Sequence, residues 1–96
     1  MNFTDEEIAH AKAAMKKPAP VGALRLIASG RAVVSLSKDG RDVLMEEIDG
    51  RKVRDPDHPD QKMGLAGAWP LFRAGMIDQF GVVTEAGRAV LETATS

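Results

Sequence analysis

The sequence predicts a small α+β domain: two N-terminal helices, an antiparallel β meander or hairpin, and two C-terminal helices. Three observations carry that expectation. Apolar residues recur at helical spacing through residues 5–30, the period drops to two over residues 32–48, and helix signals return after residue 63. The 96 residues fit one domain, a size at which a chain buries roughly 60–70% of its unfolded surface.

The first helix is expected over residues 5–17. Thr4 is placed to cap it, Glu7 completes a capping box, and Phe3 and Ile8 flank the cap as a hydrophobic staple. Asp5, Glu6 and Glu7 in the first turn and Lys16 and Lys17 in the last oppose the helix dipole, and Pro18 ends it. A second helix follows over residues 18–30. Pro20 suits its first turn, Gly30 terminates it, and Val21, Leu24, Ile27 and Ala28 share one face that Leu26 widens. Pro18-Ala19-Pro20 reads as a stiff connection between the two helices.

In Ala32-Val33-Val34-Ser35-Leu36-Ser37, Val34 and Leu36 alternate with Ser35 and Ser37, the pattern of a half-buried strand. Lys38-Asp39-Gly40-Arg41 has turn chemistry, and residues 42–48 form the second strand. Asp49-Gly50 suits a two-residue hairpin turn, whose backbone needs positive φ at both central positions. Arg51-Lys52-Val53-Arg54 is then either a third strand at the sheet edge or the frayed tail of a single hairpin. Residues 55–62 form a proline-stiffened loop. From Met63 onward the chain is apolar and rich in small residues, with a helix expected over residues 68–74 and Gly75 as its terminator. After a tight turn or two very short strands at 77–83, Thr84 caps a last helix over about residues 85–94, with Ala86, Ala89 and Val90 inward.

Composition excludes more than it selects. The absence of cysteine removes disulfides, a thiol nucleophile and a thiolate metal site. Apolar runs of a few residues fall far short of the roughly 20 needed to cross a bilayer, so no membrane partner is expected. The start, Met-Asn-Phe-Thr-Asp-Glu-Glu, is acidic where a secretory signal is basic, and a cytoplasmic location is expected.

Thirteen Lys and Arg against 14 Asp and Glu leave a net charge of −1, but the distribution is uneven. Residues 1–11 carry −3, residues 12–54 carry ten basic against five acidic side chains, and residues 55–96 carry −3. Such a basic centre is either a solvated face or a phosphate-binding surface. On the second reading Arg51, Lys52 and Arg54 are the leading phosphate contacts, with Lys38 and Arg41 at the other hairpin end. Arg73, within the third main helix, is the base-reading candidate.

Leu71-Phe72-Arg73-Ala74-Gly75-Met76-Ile77, followed by Val82-Val83-Thr84-Glu85-Ala86-Gly87-Arg88-Ala89-Val90-Leu91, resembles the closing segment of winged helix-turn-helix domains. The likeness covers about residues 69–92, roughly a quarter of the chain. It implies a double-stranded DNA partner and a role in transcription regulation. Asp78-Gln79-Phe80-Gly81, where a wing would stand, has no Lys or Arg, so the hairpin of residues 31–54 would serve as the basic arm.

Other chemistry is thin. Asp55, Asp57, His58 and Asp60 are closely spaced hard ligands, but Asp60 and Ala66 stand where a calcium loop has its central Gly and terminal Glu. They read as a solvated connector, with no metal or other cofactor expected. The chain has no tyrosine, no glycine-rich phosphate loop and no supported nucleophile–base arrangement, and no enzymatic role is expected. Trp69, Phe72, Met76, Ile77 and Phe80 concentrate the aromatic and soft apolar residues. They form either a core seam or an exposed patch, in which Trp69, Phe72 and Phe80 would bind a protein partner or a second copy in a homodimer.

Overall fold

Thr4 opens the first helix through both halves of the capping box. Its hydroxyl accepts from the Glu7 amide at 3.1 Å, and the Glu7 carboxylate accepts from the Thr4 amide at 3.3 Å. The computed structural model describes residues 3–54, 56–57 and 62–94. Its elements run α1 (Asp5–Ala14), α2 (Pro18–Ala28), β1 (Ala32–Leu36), β2 (Val43–Ile48), β3 (Arg51–Lys52), β4 (Met63–Gly64), α3 (Trp69–Arg73) and α4 (Glu85–Ala94). The architecture is α+β, with the helix and strand order that the periodicity predicts except for β4.

The first helix ends three residues earlier than expected. Pro18 disfavours helical backbone at Lys17, which is extended at φ −85°, ψ 152°. The chain therefore tightens into three-residue turns, with the Lys16 and Lys17 amides donating to Ala13 and Ala14. Pro18 and Pro20 are not a separate connector; they occupy the first turn of α2, where no amide partner is needed. Gly30, at φ 81°, turns the chain out of α2 into the sheet.

β2 is the central strand, with antiparallel β1 on one side and antiparallel β3 and β4 sharing the other. Asp49 and Gly50 adopt φ 50° and 81°, the hairpin geometry expected of that pair. The third strand exists but is shorter than residues 51–54: pairing covers Arg51 and Lys52, and one more backbone bond runs from the Val53 amide to the Glu46 carbonyl. β4 was not expected, since Met63 and Gly64 fall in an apolar stretch with no alternation. They pair with Met45 and Leu44, so the ladder that β3 begins is resumed by a later segment.

The register of β1 on β2 shifts between Val33 and Val34, whose partners are Glu47 and Met45. Glu46 is the extra residue of this bulge, and its side chain meets Ser35 of β1. The other edge of β1 is covered at its centre by Gly81, where an added Cβ would stand 2.5 Å from the Val34 carbonyl oxygen. Gly81 has φ 78°, so it fits in both space and backbone conformation.

The core lies between α1, α2, α3 and one face of the sheet, with Leu24, Leu71 and Ile77 fully buried. Ala11 and Ala14 give α1 a flat buried face that lets the helices approach closely. α4 is anchored by Thr84, whose hydroxyl accepts from the Gly87 amide at 3.2 Å, and by the Ile77–Val83 bridge just before it. Its inward face matches expectation at Val90 but not at Ala86 and Ala89. Gly87, Val90 and Leu91 turn inward, whereas Ala86 and Ala89 are exposed. Backbone approaches α4 so closely that only glycine fits at position 87, and that contact sets the helix rotation.

Candidate nucleic-acid interface

The hairpin separates the expected cations into two groups. Lys38 and Arg41 sit at the β1–β2 turn, Arg51 and Lys52 beyond the β2–β3 turn. The six residues of β2 separate these ends by about 20 Å at the usual rise of a strand. They do not form one patch.

At the first end the turn is internally bonded. Asp39 accepts from the Ser37 hydroxyl at 2.6 Å and from the Arg41 amide at 3.0 Å, and these bonds, the Ser37 one foremost, hold its carboxyl below the usual range. The Arg41 guanidinium donates to Glu7 at 2.8 Å, tying this turn to the start of α1. Glu7 is itself held low, first by the Thr4 amide and then by Arg41. Lys38 is exposed and makes no ion pair among the described residues.

Arg73 is built into the fold. Its guanidinium lies 5.6 Å from the Phe3 ring centre and 5.5 Å from that of Trp69, and it donates to the Arg41 carbonyl at 3.1 Å. Reading a base would cost it both ring contacts and that bond. Trp69 also stacks on His10, and Phe72 meets Phe3 edge-on, so both α3 aromatics belong to the α1–α3 seam. Phe80 is elsewhere. It is 75% exposed beside Val82 and Val33, along the outer edge of β1. The expected aromatic cluster is thus split between two sides of the molecule.

Arg54 is also engaged. Glu46 gathers Ser35 at 2.9 Å, Arg54 at 3.6 Å and the Lys62 ammonium, so one half-buried carboxylate fastens both ends of the 53–62 segment to the sheet. The Lys62 hydrogen bond, followed by that from Ser35, holds the Glu46 carboxyl below its ordinary 4.5. Because folding lowers this pKa, the anchoring is complete above about pH 4.5 and is lost as pH falls through the lower folded value. Amide shifts of Val53 and Met63 followed by NMR from pH 7 to pH 3 should move together in that acid range. Glu46→Gln, which keeps a polar group but not the charge, should remove that transition.

Arg51 and Lys52 remain. Both are exposed, adjacent and without an ion pair among the described residues. Arg31 reaches the same end of the sheet, where its guanidinium forks onto the Asp49 carboxylate at 2.9 and 3.3 Å. That bond holds Asp49 below, and Arg31 above, their usual values.

Four further cations flank α2, Lys16 and Lys17 before it, Arg25 on its outer side and Arg31 beyond its end, and sequence reasoning did not single them out as phosphate contacts. The available signal was helical spacing: Pro18, Gly22, Arg25 and Ser29 recur at intervals of four, three and four, opposite the buried Leu24 and Ile27. Among the described residues no group of acidic, His or Cys side chains is arranged to hold a metal. Of the connector, Asp57 is exposed, while Asp55, His58 and Asp60 lie outside the described residues. No helix among the described residues is long and apolar enough to cross a membrane.

No protein-family model, curated protein or solved structure matches this chain.

Proposed function

We propose that this protein binds double-stranded DNA through its phosphate backbone, as a small cytoplasmic transcription-regulatory factor of winged-helix character without catalytic activity. The observation that carries the proposal is the pair Arg51 and Lys52, exposed beyond a tight turn and unneutralised among the described residues. Arg51 and Lys52 point to opposite faces of the edge strand β3, and exposed cations on either side of such a ribbon suit phosphate contact, which supplies most non-specific affinity for a duplex. Arg73, Arg41 and Arg54 are structural on this reading, because each already holds two parts of the chain together.

Fluorescence anisotropy with a random duplex across a salt series tests it. Binding should weaken steeply with salt, and the double substitution Arg51→Ala/Lys52→Ala should lower the slope of log K against log salt by roughly two, about one per contact removed. Absence of duplex binding by the wild type at low salt overturns the proposal. A second reading then takes its place, favoured by Phe80, Val82 and Val33, which are 75%, 56% and 45% exposed on one edge. It holds that this apolar edge binds a protein partner or a second copy. Self-association in sedimentation that Phe80→Ser abolishes would mark that reading.

A further inference from the structure

We infer that the outer face of α2 lies along one strand of the DNA backbone, making the helix, rather than the β1–β2 turn, the second half of the binding surface. The inference rests on the DNA-binding proposal and says where most of the interface is. Two shallow grooves flank this face and share Arg25. One is lined by Lys16, Lys17, Pro18 and Val21, the other by Gly22, Leu26, Ser29 and Arg31. No acidic side chain lines either groove. Lys16, Lys17 and Arg25 are exposed and make no ion pair among the described residues, and Arg31 leads on to the Asp49-Gly50 turn.

Dimensions agree with that occupant. The 11 residues of α2 span about 16 Å, enough to follow two or three successive phosphates of one strand, which stand roughly 7 Å apart along it. Small residues mark the line of closest approach: Gly22 and Ser29 lie on the stripe with Arg25, and an added Cβ on Gly22 meets nothing within 4 Å. The face carries no aromatic ring on which unpaired bases would stack, as a single-strand binder requires. It also lacks the bulky apolar band of a helix that embeds in a membrane surface. Cationic charge without either feature fits a duplex backbone.

Gly22→Glu tests this directly, because it places a carboxylate at the centre of the strip on a helical position with open space around it. The variant should fold as the wild type does, checked by circular dichroism, and its affinity for a random duplex at low salt should fall at least about tenfold. Gln79→Glu, with the same added charge in the exposed turn before Gly81, should lose far less than Gly22→Glu. If Gly22→Glu binds like the wild type while Arg51→Ala/Lys52→Ala weakens binding, the α2 inference is overturned and the DNA proposal stands. If the wild type binds no duplex at low salt, both fall. Tighter binding to a single strand or to phosphatidylserine vesicles than to duplex, abolished by Gly22→Glu, overturns the duplex as the occupant.

Discussion

Leu71→Ala should lower the free energy of unfolding by about 3.5 kcal/mol, the middle of the range for emptying a fully buried leucine site. Leu71 is 0% exposed and belongs to a helix of only five residues. So short a helix has no stability of its own and exists because its buried face is held by the rest of the core. The same residue links two elements through its backbone: the Leu71 carbonyl accepts from the Met76 amide at 2.8 Å, where the chain turns toward the Ile77–Val83 bridge. Loss of the side chain therefore loosens both α3 and the segment leading to α4. Against a total stability of about 5–15 kcal/mol for a domain of this kind, that is a large fraction. Urea unfolding should show a lower midpoint with an unchanged slope. Leu71→Met, which nearly conserves volume, should lose under about 1.5 kcal/mol. A Leu71→Ala loss below about 1 kcal/mol would contradict the packing described.

Gly87→Ala should also destabilise, by about 2 kcal/mol, although helix propensity alone favours alanine by about 1 kcal/mol. The steric effect wins because the added Cβ would stand 2.3 Å from the Met76 carbonyl oxygen and 2.9 Å from a Val83 methyl. A carbonyl in the backbone cannot swing aside as a long side chain can. To admit the methyl, α4 must move away from the turn that carries it, straining the Thr84 cap at 3.2 Å and the bond from the Thr84 amide to the Met76 carbonyl at 3.0 Å. Gly22→Ala is the internal comparison. It is also a helical glycine but has nothing within 4 Å, so the propensity gain stands and the sign reverses. Thermal unfolding of the two variants side by side should move their midpoints in opposite directions. Midpoints that rise together would refute the contact.

How much could be read in advance depends on how far apart the interacting residues lie in the chain. Thr4 with Glu7, Asp49 with Gly50, and Thr84 with the Gly87 amide are pairs within three residues, and each adopts the geometry its local chemistry predicts. The strand β4 shows the opposite case. Met63 and Gly64 have little strand character, and they pair with β2 because the segment before them is brought back by Glu46, through Arg54 on one side and Lys62 on the other. Arg41 looked like a free cation because its partner, Glu7, is 34 residues away. Arg73 looked like a base reader because nothing near it in sequence shows that Phe3 will pack over it.

By itself, then, the sequence determined the fold class, the helix starts and the hairpin turn, all of which follow from backbone conformation and hydrogen bonds between near neighbours. It also determined that positive charge concentrates between residues 12 and 54. Only the tertiary structure decided which of those charges remain available. Folding pairs Arg31, Arg41 and Arg54 with carboxylates and buries part of Arg73 between rings, but leaves Arg51, Lys52, Lys16, Lys17 and Arg25 facing outward. The reason is physical: a side chain's charge is set by its own chemistry, whereas its neutralisation is set by which distant carboxylate the packed chain carries to within hydrogen-bonding distance.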